Sequence, residues 1–230
     1  YKPHLILYNH QTPFDQNFLS FMFGGSAYFV MSDDLCLNPL LYKLMKFFVN
    51  PIPYKKASSD PIFFRTCRKV VKEGGSIVLS AEGNRTYSGE TCYINPTIVK
   101  FIRFLKVPIT LVNIKGGFGA WPRFADSFRK GSIETKIAKE LSLEEIDKLS
   151  DDELYNTIKE TLYVNESEPD SVYKSKKNAE YLERVIYRCP KCGIATFKSK
   201  QNTITCTSCG QTSTYLENKQ FENAPFKLFV

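Results

Sequence analysis

The chain has 230 residues, 43% of them hydrophobic, and a formal net charge of +7 at pH 7. This hydrophobic content excludes an intrinsically disordered chain and suits one packed domain of ordinary size plus a small module. The basic excess lies in residues 1–140, with 19 Lys and Arg against 10 Asp and Glu, which suits anionic substrates and lipid headgroups as well as an ordinary solvated surface.

The first predicted strand ends in a polar turn that contains His10. Residues 5–7 form an apolar run, and the polar residues after it, closed by Pro13, cannot continue a strand. A helical pattern follows and places Asp15 in its first turn, within reach of the imidazole. A histidine oriented by a carboxylate is a typical general base, so the pair indicates acyl transfer onto a hydroxyl. A loop histidine beside an ordinary N-terminal helix carboxylate fits the pair equally well.

Strand-like and helical patterns then alternate along the chain. The predicted strands are 27–30, 76–80 and 108–114, and the predicted helices are 40–48, 61–73 and 94–105. This alternation predicts an α/β fold with a mixed, mostly parallel sheet flanked by helices. Sites in such folds lie beyond the carboxyl ends of the strands, where His10 and residues 82–86 both fall in the sequence.

Three ordered blocks of the sequence resemble those of a known enzyme family. Residues 10–15 read His-x4-Asp, residues 82–86 read Glu-Gly-Asn-Arg-Thr, and residues 107–112 read Val-Pro-Ile-Thr-Leu-Val. In this order and at these separations they resemble three of the four blocks of the glycerolipid acyltransferases, over about residues 5–140. The resemblance implies an O-acyltransferase similar to 1-acylglycerol-3-phosphate acyltransferases, which moves an acyl group from acyl-CoA or acyl carrier protein to a lysophospholipid in phospholipid biosynthesis.

The resemblance also implies a role for each residue of these blocks. His10 would deprotonate the acceptor hydroxyl, and Asp15 would orient its ring. The implied substrate-binding residues are Glu82, Gly83, Arg85, Thr86, Lys55 and Lys56. Arg85 would hold the acceptor phosphate, helped by one of the two lysines. The family usually has an arginine where these lysines stand, and lysine lacks the planar fork of arginine, so we expect headgroup recognition to differ.

Membrane association is a further expectation. No stretch of about 18 uncharged apolar residues predicts a transmembrane helix, but the family commonly has an N-terminal anchor, and we expect such a segment ahead of Tyr1. Residues 18–30 and 35–49 could also contact a bilayer. The second stretch predicts an amphipathic helix with Lys43 and Lys46 beside its apolar face, although core packing is the expected role of most of that face. We therefore predict a protein at the cytoplasmic face of a membrane.

Residues 141–187 predict a helical extension and a linker without catalytic chemistry. Capping boxes start at Ser142 and Ser150, and each predicts the first turn of a helix. Residues 165–178 are charged and poor in aliphatic side chains, which predicts a loop, and residues 179–187 resume a helical pattern.

The C-terminal segment has the cysteine spacing of a zinc ribbon. Cys189 and Cys192 are followed, after thirteen residues, by Cys206 and Cys209. Two C-x2-C pairs at this distance predict a tetrahedral four-thiolate site for a structural Zn²⁺, with iron as the alternative. Such a closed site offers no open position to a substrate, so we predict that the metal stabilises the module.

Together these patterns predict three segments: an acyltransferase domain at 1–140, the extension and linker at 141–187, and the ribbon and tail at 188–230. The alternative function is a zinc-ribbon binding or regulatory protein with a non-catalytic lipid-binding domain. Residues 186–230 carry 6 Lys and Arg against 2 Asp and Glu. Because four thiolates on a divalent metal add about −2, little basic excess remains there, and we expect no nucleic-acid partner.

Overall fold

The structure is a computed structural model that describes residues 2–24, 27–37, 39–55 and 60–230. The chain forms two compact units, each assembled from three stretches of sequence. The first unit comprises Tyr1–Asn84, Tyr93–Asn113 and Thr135–Tyr163, and the second comprises Arg85–Cys92, Ile114–Glu134 and Val164–Val230. The domain boundaries predicted after residues 140 and 187 stay a prediction.

A six-stranded sheet forms the centre of the first unit. Its strands are β1 (Leu5–Tyr8), β2 (Ala27–Ser32), β3 (Asn50–Tyr54), β4 (Ser76–Ser80), β5 (Ile109–Lys115) and β6 (Glu134–Leu141). They lie in the order β3-β2-β4-β1-β5-β6. β1 pairs in parallel with β4 and β5, and β2 pairs in parallel with β3 and β4. The predicted α/β class with a mostly parallel sheet is confirmed.

Helices connect most of the strands. They are α1 (Asp15–Phe23), α2 (Pro39–Phe48), α3 (Pro61–Lys72), α4 (Thr97–Leu105), α5 (Gly117–Ala120), α6 (Leu143–Lys148) and α7 (Asp151–Leu162), and a 3₁₀ helix spans Asp33–Leu37. Connections between parallel strands are right-handed. The strand order therefore places α1 and α2 on one face of the sheet and α3 and α4 on the other.

The main core of the first unit lies between the sheet and the helices α3, α4 and α7. Leu5 and Leu7 of β1 point into this core, whereas Ile6 and Tyr8 are equally buried and point to the opposite face. The core also contains the three apolar residues predicted for the second capped helix, Leu154, Ile158 and Leu162. β1 is thus covered on both faces and paired on both edges, which makes it a rigid support for the turn that follows it.

Both capping boxes are present and begin α6 and α7 as predicted. The Ser142 hydroxyl accepts the backbone N–H of Glu145, whose carboxylate accepts the backbone N–H of Ser142 at 2.8 Å. Ser150 and Glu153 make the same reciprocal pair. Each box satisfies two N–H groups that a helix leaves without an intrahelical acceptor, which fixes the first residue of the helix.

The two edge strands, β3 and β6, were not among the predicted strands. β3 contains Pro51 and Pro53. Proline has no backbone N–H to donate, so a strand with two prolines cannot pair fully with a strand on each side. β6 exposes charged side chains, including Lys136, Lys139 and Glu140. Prolines and exposed charges are typical of sheet edges, because they block pairing with a further strand. The apolar alternation that identifies interior strands is consequently missing from both.

The predicted helix at 179–187 is wrong. Only the 3₁₀ turn Leu182–Arg184 forms there. Tyr181 has a left-handed backbone with φ of +69°, and the backbone N–H of Ala179 donates to the carbonyl of Gln201. The apolar spacing that looked helical comes from residues such as Ala179, Leu182 and Ile186, which pack into the core of the second unit. α4 likewise begins at Thr97 instead of residue 94.

The second unit has a core of its own, built mainly from aromatic side chains such as Phe118, Phe124, Tyr215, Phe221 and Phe226. It contains the two-stranded sheet β7 (Arg188–Cys189) and β8 (Gly193–Ile194). It also contains the antiparallel sheet β9 (Phe197–Lys200), β10 (Thr203–Cys206) and β11 (Thr212–Thr214). These short strands carry the cysteine motifs.

The predicted loop at 165–178 contains neither a helix nor a named strand, but buried polar groups hold it in place. The carboxylate of Glu166 accepts hydrogen bonds from the backbone N–H groups of Gly116 and Gly119, at the start of α5. Burial raises the pKa of Glu166 to about 7. Lys219 is also buried, and its ammonium group lies 2.8 Å from Asp170. This loop therefore fixes the glycine-rich turn after β5.

The expected core packing of the apolar side chains in 35–49 stays a prediction, because the side chains of Leu41, Leu44 and Phe48 lie outside the described part of the structure. Leu37 and Leu40 are both 79% exposed, and Phe47 is 82% exposed. Phe21 of α1 is 89% exposed. Val49, at the end of residues 35–49, is buried. Within the described ranges, no helix combines the length and apolar composition needed to cross a bilayer.

Candidate active site

A buried carboxylate organises the turn between β1 and α1. Asp15 is fully buried, and its Oδ2 accepts hydrogen bonds from the imidazole of His10 at 2.8 Å and from the backbone N–H of Gln11 at 2.6 Å. The backbone N–H of Thr12 lies 3.0 Å from each oxygen, and the Thr12 hydroxyl donates to Oδ1 at 2.8 Å. Both carboxylate oxygens are therefore used as acceptors, and the turn closes around them.

His10 lies in the turn two residues after β1, and its contact with Asp15 defines the tautomer of the neutral ring. A carboxylate accepts only, so Nδ1 carries the proton that it donates to Asp15, and in the neutral ring the lone pair is therefore on Nε2. The His10 side chain is 18% exposed, which leaves it accessible to a substrate. The ring of Tyr8 meets the imidazole edge to face at 5.8 Å. Burial, and then the charge of Asp15, raise the pKa of Tyr8, so that ring stays neutral.

Glu82 fixes the same turn from β4, seventy-two residues away in sequence. Its carboxylate accepts the backbone N–H of His10 at 2.7 Å. The next residue, Gly83, has φ of +70° with no atom within 4 Å of the position of a Cβ, so the turn conformation is what favours glycine there. The structure thus brings His10, Asp15 and Glu82 together, with Glu82 holding the backbone of the turn.

Arg85 and Thr86 belong to the second unit. The hydroxyl of Thr86 donates to the carbonyl of Glu90 at 2.6 Å and accepts the backbone N–H of Gly89 at 3.0 Å, so it holds its own turn. The carbonyl of Arg85 accepts from the guanidinium of Arg123 at 3.1 Å. That guanidinium lies 3.9 Å from the centre of the Tyr87 ring. Arg123 was not predicted, because no motif marks a residue that supports a loop thirty-eight positions earlier.

Of the two lysines predicted to help Arg85 bind the phosphate, the structure describes only Lys55. Lys55 is exposed and directly follows β3, at the carboxyl end of that strand. β3 is separated from β1 by β2 and β4, which corresponds to about 14 Å between the strands. Lys56 lies outside the described residues.

Two polar side chains at this edge of the sheet were missed by the sequence analysis. Ser80 ends β4 opposite Tyr8, and Asn113 lies near the end of β5, one residue beyond the partner of Tyr8. Within the described ranges, Ser80 Oγ and Asn113 Oδ1 are buried and have no hydrogen-bond partner. The only signal in the sequence is their polarity at the end of an apolar run. The other histidine, His4, lies before β1 and contacts Thr110 at 2.9 Å.

The four predicted metal ligands converge in the second unit. The sulfur atoms of Cys189, Cys192, Cys206 and Cys209 all lie within 4.8 Å of one another. The Sγ atoms of Cys189 and Cys209 are 3.8 Å apart, and those of Cys192 and Cys206 are 3.6 Å apart. Four sulfurs at about 2.3 Å from a tetrahedral Zn²⁺ would be separated by about 3.8 Å. The cluster can therefore hold a metal ion, and its identity as zinc stays a prediction.

Comparisons with known proteins address the fold and the family. A sequence model of the family described as Acyltransferase matches residues 1–115. The chain is similar in structure to the 1-acyl-sn-glycerophosphate (LPA) acyltransferase PlsC from Thermotoga maritima, with a TM-score of 0.58 and 20% sequence identity. The match covers 70% of this chain and 64% of that chain, just under two thirds of the Thermotoga enzyme. A comparison with curated protein sequences gives no match.

We predict that the cysteine cluster binds one Zn²⁺ and that this metal folds the ribbon. Chelation should abolish hydrogen-exchange protection at about residues 186–215, because metal-binding energy there is folding energy. Elemental analysis should find one zinc per chain, and Cys206→Ser should lose it. Cys92→Ser, which changes a cysteine outside the cluster, is the matched control and should keep the metal. Iron in place of zinc, or a ribbon that stays protected after chelation, would contradict the prediction.

Proposed function

Because this chain belongs to the acyltransferase family, we propose that it moves a fatty acyl group from a thioester donor to the hydroxyl of a lysophospholipid. The acceptor that we propose is 1-acylglycerol 3-phosphate or a related lysolipid, and the donor is acyl-CoA or acyl carrier protein. The observation that carries this proposal is the His10–Asp15 contact of 2.8 Å at the carboxyl end of a central parallel strand. A further part of the proposal is that the reaction takes place at the cytoplasmic face of a membrane.

The proposed chemistry starts at Nε2 of His10. This nitrogen takes the proton of the acceptor hydroxyl as the oxygen attacks the thioester carbonyl, and Asp15 stabilises the imidazolium that forms. The proton then leaves with the thiolate as the C–S bond breaks, which gives an ester and a free thiol. No covalent enzyme intermediate is needed, because the substrate hydroxyl is itself the nucleophile.

Substrate binding is proposed for residues 82–86 and for the lysines that follow β3 in the sequence. Arg85 would hold the acceptor phosphate, since a guanidinium offers a two-pronged donor to phosphate oxygens. The bond from Arg123 to the carbonyl of Arg85 supports this role by fixing the backbone there. Lys55 and Lys56 would contribute long-range charge, and Glu82 and Gly83 would shape the turn. Thr86 would act through its turn and not through direct contact.

We expect His10→Ala to lower kcat by about two to four orders of magnitude, the range that a positioned base usually contributes. The fold should be unchanged, because the His10 side chain has one hydrogen bond and is partly exposed. Asp15→Asn should be severely impaired and also less stable, because an amide cannot accept at both atoms. Steady-state kinetics and thermal unfolding separate the two effects.

His4→Ala is the matched control, since it removes a histidine from before β1, the strand that His10 follows. It should keep near-parental kcat. A His10→Ala protein with near-normal turnover would rule out the proposed chemistry, whatever the stability of the variant.

We expect Arg85→Gln to raise KM for the phosphorylated acceptor about ten- to hundredfold, the usual effect of losing a hydrogen bond to a charged group. KM for the acyl donor should stay constant, because only the acceptor places its phosphate there. Arg188→Gln, an exposed arginine of the same unit, is the control and should change neither constant. If both KM values rise together, Arg85 is a structural residue.

The surface that we propose for membrane contact consists of the exposed apolar side chains of α1, of Phe14 directly before it, of the 3₁₀ helix and of α2, and is here called the apolar face. Its members are Phe14, Phe21, Met22, Leu35, Leu37, Leu40 and Phe47. Side chains of this size are seldom grouped on the open surface of a soluble protein unless they bind something. Lys43 and Lys46 are exposed on α2 and would attract anionic headgroups by about 1 kcal/mol each.

We expect Phe21→Ser with Leu37→Ser to weaken binding to vesicles of neutral and anionic phospholipid by tenfold or more. Burial of one such side chain contributes about 1.5–3 kcal/mol. Ile62→Ser is the matched control, because Ile62 is 68% exposed but lies on α3, across the sheet. It should bind like the parent in a flotation assay. Equal vesicle binding by the double variant would disprove a role for the apolar face.

A further inference from the structure

A series of side-chain contacts connects the segment ahead of the cysteine cluster with residue 85. It begins at Arg184, the last residue of the 3₁₀ turn Leu182–Arg184, and ends at the backbone of Arg85. All residues of this series belong to the second unit. Its two ends are far apart in sequence, so the tertiary structure alone brings them into one network.

Arg184 holds the turn formed by residues 122–126. Its guanidinium donates to the carbonyl of Phe124 at 2.9 Å and to the carboxylate of Asp126 at 2.6 Å. A second nitrogen lies 3.3 Å from the other oxygen of Asp126, so this ion pair is bidentate. Hydrogen bonding to Arg184 lowers the pKa of Asp126, which keeps the carboxylate ionised. Arg184 therefore fixes both the backbone and a side chain of the turn.

The buried side of the same turn packs in the core of the second unit. Phe124 is almost fully buried there. The same core contains Leu182, at the start of the 3₁₀ turn, and Cys206 of the cysteine cluster. The turn 122–126 thus shares one core with the C-terminal segment and is bonded to Arg184 at its surface. Both contacts fix the position of Arg123, which lies in this turn.

Arg123 carries the contact onward to residues 85–92. Its guanidinium donates to the carbonyl of Arg85 at 3.1 Å and lies 3.9 Å from the centre of the Tyr87 ring. Among the residues that the structure describes, Arg123 has no carboxylate within 4.0 Å. Its charge is therefore used on a carbonyl and a ring of this one segment.

The opposite end of segment 85–92 is held by the backbone. Its last residues pair with residues 164–166 through backbone hydrogen bonds of 2.8 and 2.9 Å. Arg123 contacts the first residues instead, next to the side chain that would bind the acceptor phosphate. A shift of the turn that contains Arg123 would consequently displace Arg85 more than the end of the segment.

We propose that Arg184 is a positioning residue for Arg85 and that it acts through the turn that contains Arg123. The inference rests on the proposed function, because it concerns the acceptor site of that reaction. The segment ahead of the cysteine cluster would then set the position of the guanidinium that binds the phosphate. An exposed ion pair usually adds little to stability, so a selective effect of Arg184 on acceptor binding identifies a role in positioning.

The kinetic test compares the parent with Arg184→Gln and with Lys177→Gln. Lys177 forms another exposed ion pair of the same unit, 3.0 Å from Glu180, and is the matched control. Each protein is assayed with 1-acylglycerol 3-phosphate and hexadecanoyl-CoA. We expect Arg184→Gln to raise KM for the acceptor about three- to tenfold, with kcat and KM for the donor unchanged. Arg184→Lys, which keeps the charge, should give an intermediate KM, and the control should behave like the parent.

A second comparison introduces Arg184→Gln into the Arg85→Gln variant. Two residues that act on one interaction have non-additive effects. Without the guanidinium of Arg85, loss of its positioning residue should change KM for the acceptor less than about twofold. An undiminished increase in this background would show that Arg184 acts independently of Arg85 and would overturn the inference.

Hydrogen exchange tests the same connection without any substrate. The amides of residues 85–92 should exchange faster in Arg184→Gln and in Arg123→Gln than in the parent, and at the parental rate in Lys177→Gln. A chain that lacks acyltransferase activity but shows these exchange rates contradicts the proposed function and supports the connection. Parental exchange in Arg184→Gln, an equal rise of both KM values, or an equal effect of Lys177→Gln would contradict the inference.

Discussion

The proposed active site depends on the burial of one carboxylate. Asp15 has no exposed surface, and a charge in that position is tolerated only when hydrogen bonds replace its water. The imidazole of His10, two backbone N–H groups and the hydroxyl of Thr12 supply them. The bonds that make the buried charge stable also close the turn and select the tautomer of the histidine. A change at Asp15 therefore alters stability and chemistry together.

This arrangement needs a rigid strand beneath it. β1 is buried on both faces, pairs with β4 and β5, and delivers the turn at its carboxyl end. Glu82 then ties the backbone of His10 to the next strand of the sheet. The parallel topology brings two segments together that are far apart in sequence, because neighbouring parallel strands end at the same edge. The turn that contains His10 is consequently fixed by the sheet and not by local structure alone.

The sheet also separates two kinds of surface on the first unit. The helices on one face expose apolar side chains such as Phe21 and Phe47, whereas α3 on the other face exposes arginines and lysines. We propose a lipid phase for the first surface. The overall basic excess of residues 1–140 does not reveal this division, because a net charge does not say on which surface the charged residues lie.

The sequence by itself determined the features that rest on short-range or periodic interactions. The interior strands, both capping boxes, the His10–Asp15 contact and each C-x2-C pair involve residues a few positions apart, and the structure contains all of them. Only the tertiary structure decided how exposed single apolar side chains are. An amphipathic helix has the same sequence pattern whether its apolar side faces a core or the outside. The exposure of Leu40 and Phe47 could therefore not be predicted from that pattern. Three other features were not predicted from the sequence. They are the contact of Glu82 with His10, the edge strands β3 and β6, and the left-handed backbone at Tyr181 that interrupts the predicted helix. Each depends on partners distant in sequence, and a one-dimensional pattern does not encode which distant partner a residue meets.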